Sequence, residues 1–320
     1  MKTYVFTIVV LSLLTLACSQ ENKLPSQKQY YKDVSSLDEK LQRHHFRAVD
    51  ELQKPFLSLI EKHKIFHPGG MHDWYPSHKE PGQTFFQYKK RQKNSKLTTI
   101  YIQKLGDFSQ EQKQVVALVT RYISSYFQVP VKFTKPIPLS KIPRSARRIH
   151  PSWGDKQILT TYILRKVLYP NRPKDAIAYI ALTGTDLYPR ESWNFVYGQA
   201  SLTHRVGVFS MYRNGDPSSS KELFLRCFLR TAKTATHEIG HMLGMKHCIA
   251  FACCMNGSNN REESDRGPLW LCPVCLCKLQ WFLPVDLQKR YDELAAIVQS
   301  LGFHTRAQFF RDSITLIDKK

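Results

Sequence analysis

The chain has 320 residues, enough for one large domain or two small ones with a substantial buried core. Lys and Arg number 47 against 26 acidic residues, a formal charge of +21, so an anionic neighbour is expected: lipid head groups, acidic protein substrates or nucleic acid. The basic runs Lys89-Lys90-Arg91-Gln92-Lys93 and Arg144-Ser145-Ala146-Arg147-Arg148 fall in predicted loops and read as solvated surface, so the charge bears on solubility and surface attraction and excludes no fold.

In chain order, Met1-Lys2-Thr3-Tyr4 is followed by an apolar run from Val5 to Ala17, too short to span a bilayer comfortably, which reads as an export signal over residues 1–17. It ends at Leu16-Ala17-Cys18-Ser19. A small residue directly before a cysteine resembles the lipobox of bacterial lipoproteins, although Thr15 stands where that box usually has Leu. Cys18 is therefore the lipidation candidate, with plain secretory cleavage as the alternative, and the expected location is a bacterial cell envelope or, failing an anchor, the periplasm or exterior. Taking Lys2 away with the leader leaves a charge of +20. An exported protein meets little nucleic acid, so none is expected as a partner.

Residues 18–95 read as a spacer and polar lead-in, with one helical pattern around Leu37 to Ile65 and a turn-rich passage from Pro68 to Gly82. Leu97 to Leu105 is rich in β-branched residues and predicts a strand, Ser109 to Tyr126 a helix, and Val129 to Thr134 a second strand. A further helix is expected over Gly154 to Leu168. A buried strand is expected over Ala176 to Leu182 and another over Arg205 to Met211. Lys221 to Leu243 predicts a long amphipathic helix, residues 244–285 a cysteine-rich loop region, and Asp286 to Leu301 a closing helix opened by Pro284 and Asp286. The expected fold class is α/β: a twisted mixed sheet packed with helices. It divides into a catalytic subdomain over 96–243 and a cysteine-rich C-terminal subdomain over 244–320.

Residues 237–247 read His-Glu-Ile-Gly-His-Met-Leu-Gly-Met-Lys-His, the pattern HExxHxxGxxH. On a helix His237 and His241 stack one turn apart on one face, so both imidazoles reach one zinc ion. Glu238 lies beside that ion, too far round the helix to ligate readily but placed to take a proton from water. Gly244 is free to adopt positive φ, which ends the helix and returns the chain so that His247 becomes the third ligand, with the fourth position left for water. Two stray histidines on a core-facing helix explain a bare HExxH; the added glycine and third histidine make that explanation a poor one. A catalytically idle zinc protein and a nucleic-acid-binding zinc module are the competing functions.

Cys248, Cys253, Cys272 and Cys275, the last two in a CxxC, supply four thiols for a structural zinc; a pair of disulfides is the alternative that an oxidising destination favours. Cys227 reads as a buried helix residue, whereas Cys254 and Cys277 either substitute as ligands or pair with each other.

The run from His237 through Cys275, with Cys248 directly after the third histidine and Met255 two residues after Cys253, resembles the archaemetzincin signature. The stretches from Asp73 to Phe85, Asp186 to Pro189 and Trp193 to Ala200 are similar to segments of the same family, so the likeness covers roughly residues 70–300. The resemblance implies a compact α/β metzincin fold, a zinc metallopeptidase acting on a peptide or protein substrate, and two zinc ions, one catalytic and one structural. It also implies that Met255 forms the turn beneath the catalytic site and that substrate pairs with an edge strand, either Arg205 to Met211 or the preceding Tyr197 to Ser201.

Overall fold

The computed structural model describes residues 27–318; the export signal expected over residues 1–17 and the lipidation candidate Cys18 lie outside them. Helices α1 (Gln27–Ser35) and α2 (Glu39–Asp50) and the short α3 (Trp74–His78) and α4 (Phe85–Lys89) precede the first strand. Strand β1 (Thr99–Leu105), helix α5 (Gln110–Phe127) and strand β2 (Val131–Phe133) form the β-α-β start that the sequence predicts. Ser109 and Gln112 close a reciprocal capping box at the first turn of α5, which sets its start.

Next come β3 (Arg147–Ile149), β4 (Lys156–Leu159), α6 (Thr160–Tyr162), a π-helical stretch Ile163–Leu168 and α7 (Tyr169–Asn171). The helix expected over Gly154 to Leu168 therefore begins as a strand. Residues Gln157 to Leu159 pair in parallel with β6 (Asp186–Tyr188), which takes them out of the helix, whereas Ile163, Leu164 and Leu168, which carry the helical periodicity, do lie on a buried helical face. The main sheet has the order β2, β1, β5 (Ala176–Thr183), β8 (Val206–Ser210) and β7 (Gly198–Ser201), with β5 at its centre and all eight of its residues buried. Both faces of a central parallel strand are covered, which is why Ala176 to Leu182 reads as an unbroken apolar run. Strand β8 pairs with β5 on one side and antiparallel β7 on the other, so β7 is the edge.

Helix α8 (Lys221–Met242) crosses this sheet. Phe228, Ala232, Ala235, Ile239 and Met242 are buried on its inner face, where Phe228 meets Tyr122 of α5 edge-on at 6.1 Å. Residues 244–285 are more ordered than the expected loop: they contain α9 (Arg261–Arg266) and α10 (Pro273–Phe282). The first is too short to show periodicity. The second is nearly buried all round, so it carries no amphipathic stripe, and Pro273 sits at its start where a missing N–H costs nothing. Helix α11 (Leu287–Ser300) is capped by Asp286 as expected, and α12 (His304–Asp318) packs on it, an element absent from the sequence reading.

Candidate active site

Helix α8 sets Lys233, His237 and His241 on one stripe at four-residue spacing, facing a cleft of about 1190 Å³. Gly244 has φ +85°, the left-handed conformation its place in the motif requires, and Met245 N–H closes back onto the Gly240 carbonyl at 3.0 Å. The chain then turns so that His247 meets the other two rings; one ligand nitrogen from each of the three lies within 4.8 Å of the others. Each Nδ1 donates outward: His237 to the Cys254 carbonyl at 2.8 Å, His241 to the Met245 carbonyl at 2.7 Å, and His247 to Glu80 Oε2 at 2.8 Å. With all three Nδ1 protons so engaged, neutral imidazoles carry their lone pairs on Nε2, and those of His237 and His241 converge to 2.9 Å. Burial and mutual repulsion hold His237 well below the usual histidine range and lower His241 to about 4, so both are neutral near pH 7 and available to a cation. This donor set fits zinc.

Glu238 is buried, and desolvation pushes its carboxyl up to about 8. It backs onto β7, where a Cβ at Gly198 would stand 3.0 Å from Glu238 Oε1. Glycine there lets the edge strand pass directly over the carboxylate. Of the two platforms considered, Arg205 to Met211 is excluded because β8 is an interior strand, whereas Gly198–Ser201 is an edge that lines the cleft beside the histidines.

The four cysteines Cys248, Cys253, Cys272 and Cys275 are buried together with their sulfurs within 4.8 Å of one another. Cys248 and Cys272 Sγ are 3.6 Å apart, far beyond a disulfide bond and close to the edge of about 3.8 Å that a tetrahedron of 2.3 Å zinc–sulfur bonds has. Backbone N–H groups of Met255 and Cys272 point at Cys253 Sγ at 3.4 and 3.3 Å. These thiols therefore fit a metal better than two disulfides. Cys254 instead contacts Thr236 Oγ1 at 3.2 Å, and neither it nor Cys277 joins the cluster or pairs with the other; Cys227 is buried in α8. Met255 lies under the histidine helix, where its Sδ is 2.4 Å from the position a Cβ would take at Gly240.

A family model described as Peptidase family M54 matches residues 173–281. Human Archaemetzincin-2 is 36% identical over an alignment covering 80% of this chain and 79% of the relative, and the mouse protein of that name is 36% identical with the same coverage. The chain belongs to the archaemetzincin family. It is thus a zinc metallopeptidase. Human Archaemetzincin-1 is more distant, 31% identical over 46% of this chain and 35% of its own length. Among solved structures, archaemetzincin from Archaeoglobus fulgidus complexed with malonate is 31% identical, with a TM-score of 0.44 over 56% of this chain and 99% of that one. The Methanopyrus kandleri archaemetzincin is 25% identical, with a TM-score of 0.46 over 60% and 98%.

Several residues around this archaemetzincin site escape the motif. Glu80 accepts hydrogen bonds from His247 and from Trp74 Nε1 at 3.0 Å, and the Trp74 ring meets His247 edge-on at 5.0 Å. Burial opposes ionisation of Glu80, and its hydrogen bonds from His247 and Trp74 outweigh that, holding its carboxyl below the usual range. Gln83 braces the turn after Gly244 by accepting from Lys246 N–H at 3.2 Å. All three lie in the Asp73 to Phe85 stretch, where the sequence shows a family likeness but no reason for it; the contact spans 167 residues.

Proposed function

We propose that the chain hydrolyses peptide bonds at a zinc held by His237, His241 and His247, with Glu238 as general base, and that Cys248, Cys253, Cys272 and Cys275 hold a second, structural zinc. The observation that carries the reading is the convergence of three Nε2 lone pairs, each oriented by an acceptor behind its ring, beside a buried carboxylate under an edge strand. Zinc bound there would polarise the scissile carbonyl and make water easier to deprotonate. In its ionised form, which a cation at the neighbouring histidines would favour, Glu238 takes the proton from the attacking water and returns it to the leaving amine, a transfer that its buried position shields from solvent. Strand β7 aligns the substrate by main-chain pairing, with Gly198 keeping the peptide close to Glu238. Met255 supports α8 from below, against Gly240 between the two helical ligands.

Replacing Glu238 by Ala is expected to lower kcat by at least about 10²-fold while zinc content by elemental analysis stays at two per chain. A variant that cleaves peptides as fast as the wild type would sink the general-base assignment; loss of one zinc would show that the carboxylate ligates instead. An export signal over residues 1–17 and lipid attachment at Cys18 remain part of the proposal, on the strength of the Leu16-Ala17-Cys18-Ser19 junction. Cys18→Ser should move the protein from the membrane to the soluble fraction of an expressing bacterium, and unchanged fractionation refutes the anchor.

A further inference from the structure

The cleft continues past the histidines into a space between α8 and α9, and its chemistry there is cationic. Lys233 stands one helical turn before His237 on the same stripe, about 6 Å along the axis. Arg261, at the start of α9, lies over the Tyr197 ring with its guanidinium carbon 3.6 Å from the ring centre. Both line the cleft. Lys233 Nζ is held by two backbone carbonyls, those of Ser264 and, at 2.8 Å, Gly267; Arg261 reaches the Asn214 side chain, and its buried Nε has no hydrogen-bond partner.

Neither cation has a carboxylate partner among the described residues. The nearby acids are committed elsewhere. Asp265 is gripped by Arg230 at 2.5 Å, Glu263 accepts from the backbone of Trp74 and Asn259, and Asp73 pairs with Arg266 at 2.7 Å. Burial lowers Lys233 to about 8 and Arg261 to about 10, outweighing the opposing pull of Asp265 on both. A paired design would have placed an acid between them. Here the vacant acceptor role falls on whatever enters the cleft.

We infer that Lys233 and Arg261 form a carboxylate-recognition subsite, which makes this peptidase selective for substrates with an acidic group on a residue directly flanking the scissile bond. The inference rests on the peptidase reading, because both cations line the cleft that holds the three histidines and Arg261 lies on Tyr197, the residue directly before β7. The carboxylate comes either from an Asp or Glu side chain or from the C-terminus of a peptide ending at that residue. A guanidinium fixed on a tyrosine face and an ammonium fixed by carbonyls are pre-organised for it, so little ordering cost opposes binding.

The test uses the zinc-loaded full chain and quenched peptides that differ only at the two residues flanking the cleaved bond. Glu or Asp at one of these positions should raise kcat/KM at least tenfold over Gln or Asn. That ratio should fall toward one in Arg261→Gln and in Lys233→Met, and in the wild type at high salt, where the charges are screened. Peptides ending at the flanking position, as free acid or amide, tell a terminal carboxylate from a side chain. A parallel measurement uses Glu238→Ala and the same peptides by fluorescence anisotropy, with the acidic peptide expected to bind at least tenfold more tightly than its amide counterpart. Cleavage without an acid preference overturns the subsite and leaves the peptidase reading standing. Absence of cleavage counts against the peptidase, and the binding ratio then decides the subsite alone, a value near one refuting it. Should one variant misfold, the other variant and the salt series decide the same question.

Discussion

At the residue scale, what distinguishes His247 from its two partners is its support. His237 and His241 are braced by backbone carbonyls that no side-chain substitution removes, whereas His247 depends on a single carboxylate, Glu80, contributed by the segment before the first strand. Glu80→Gln should therefore weaken catalytic zinc by roughly 10- to 100-fold, measured by competition with a chelator, with little change at the four-cysteine site. Unaltered zinc affinity would mean that His247 is held by packing against Trp74 instead. Gly240 and Gly198 belong to the same scale. A Cβ at Gly240 would collide with Met255 Sδ at 2.4 Å and one at Gly198 would crowd Glu238 Oε1 at 3.0 Å, so small size is part of the site's construction.

At the scale of elements, the cysteine cluster ties the segment after the histidine helix to α10. Cys248 and Cys253 come from the loop that carries Met255, while Cys272 and Cys275 cap and open α10, so four sulfurs unite two pieces of chain that no β-ladder joins. Loss of one thiol, as in Cys275→Ser, should reduce zinc from two to one per chain and lower Tm by on the order of 5–10 °C, because binding free energy at such a site is also folding free energy. Unchanged zinc content in that variant would show the cluster to be a set of buried thiols without metal. Residues 244–285 read as loop in the sequence for a related reason. Buried cysteines take the place of apolar anchors, and the periodicity that announces a helix is lost.

For the whole molecule, the N-terminal helices and the C-terminal segments close over one another. His63 shows the coupling: it follows a 3-10 turn, Leu57–Lys62, donates from Nδ1 to the Leu59 carbonyl at 2.8 Å and sets Nε2 3.3 Å from the Leu271 carbonyl beside Cys272. Burial lowers its pKa from 6.5 to about 4. The folded state thus binds fewer protons than the unfolded one between these values, so the contribution of neutral His63 is complete above pH 6.5 and is lost as pH falls toward 4. The full effect is about 3 kcal/mol, and the decline in stability over this window should be shallower in His63→Phe when denaturant unfolding of the two proteins is compared. Parallel slopes would show that this ring is not what couples folding to pH. The sequence by itself determined the β-α-β start, the central buried strand, the long helix and the three histidines with their glutamate and glycine. Each of these is written in local periodicity or in a spacing of a few residues that backbone geometry converts directly into position. Only the tertiary structure decided that β7 and not β8 is the edge, that Lys156–Leu159 is a strand, that Glu80 stands behind His247, and that Lys233 and Arg261 line one cleft with neither of them ion-paired to a described carboxylate. Those outcomes depend on which distant segments lie side by side, and contact across a hundred or more residues leaves no period in a single chain.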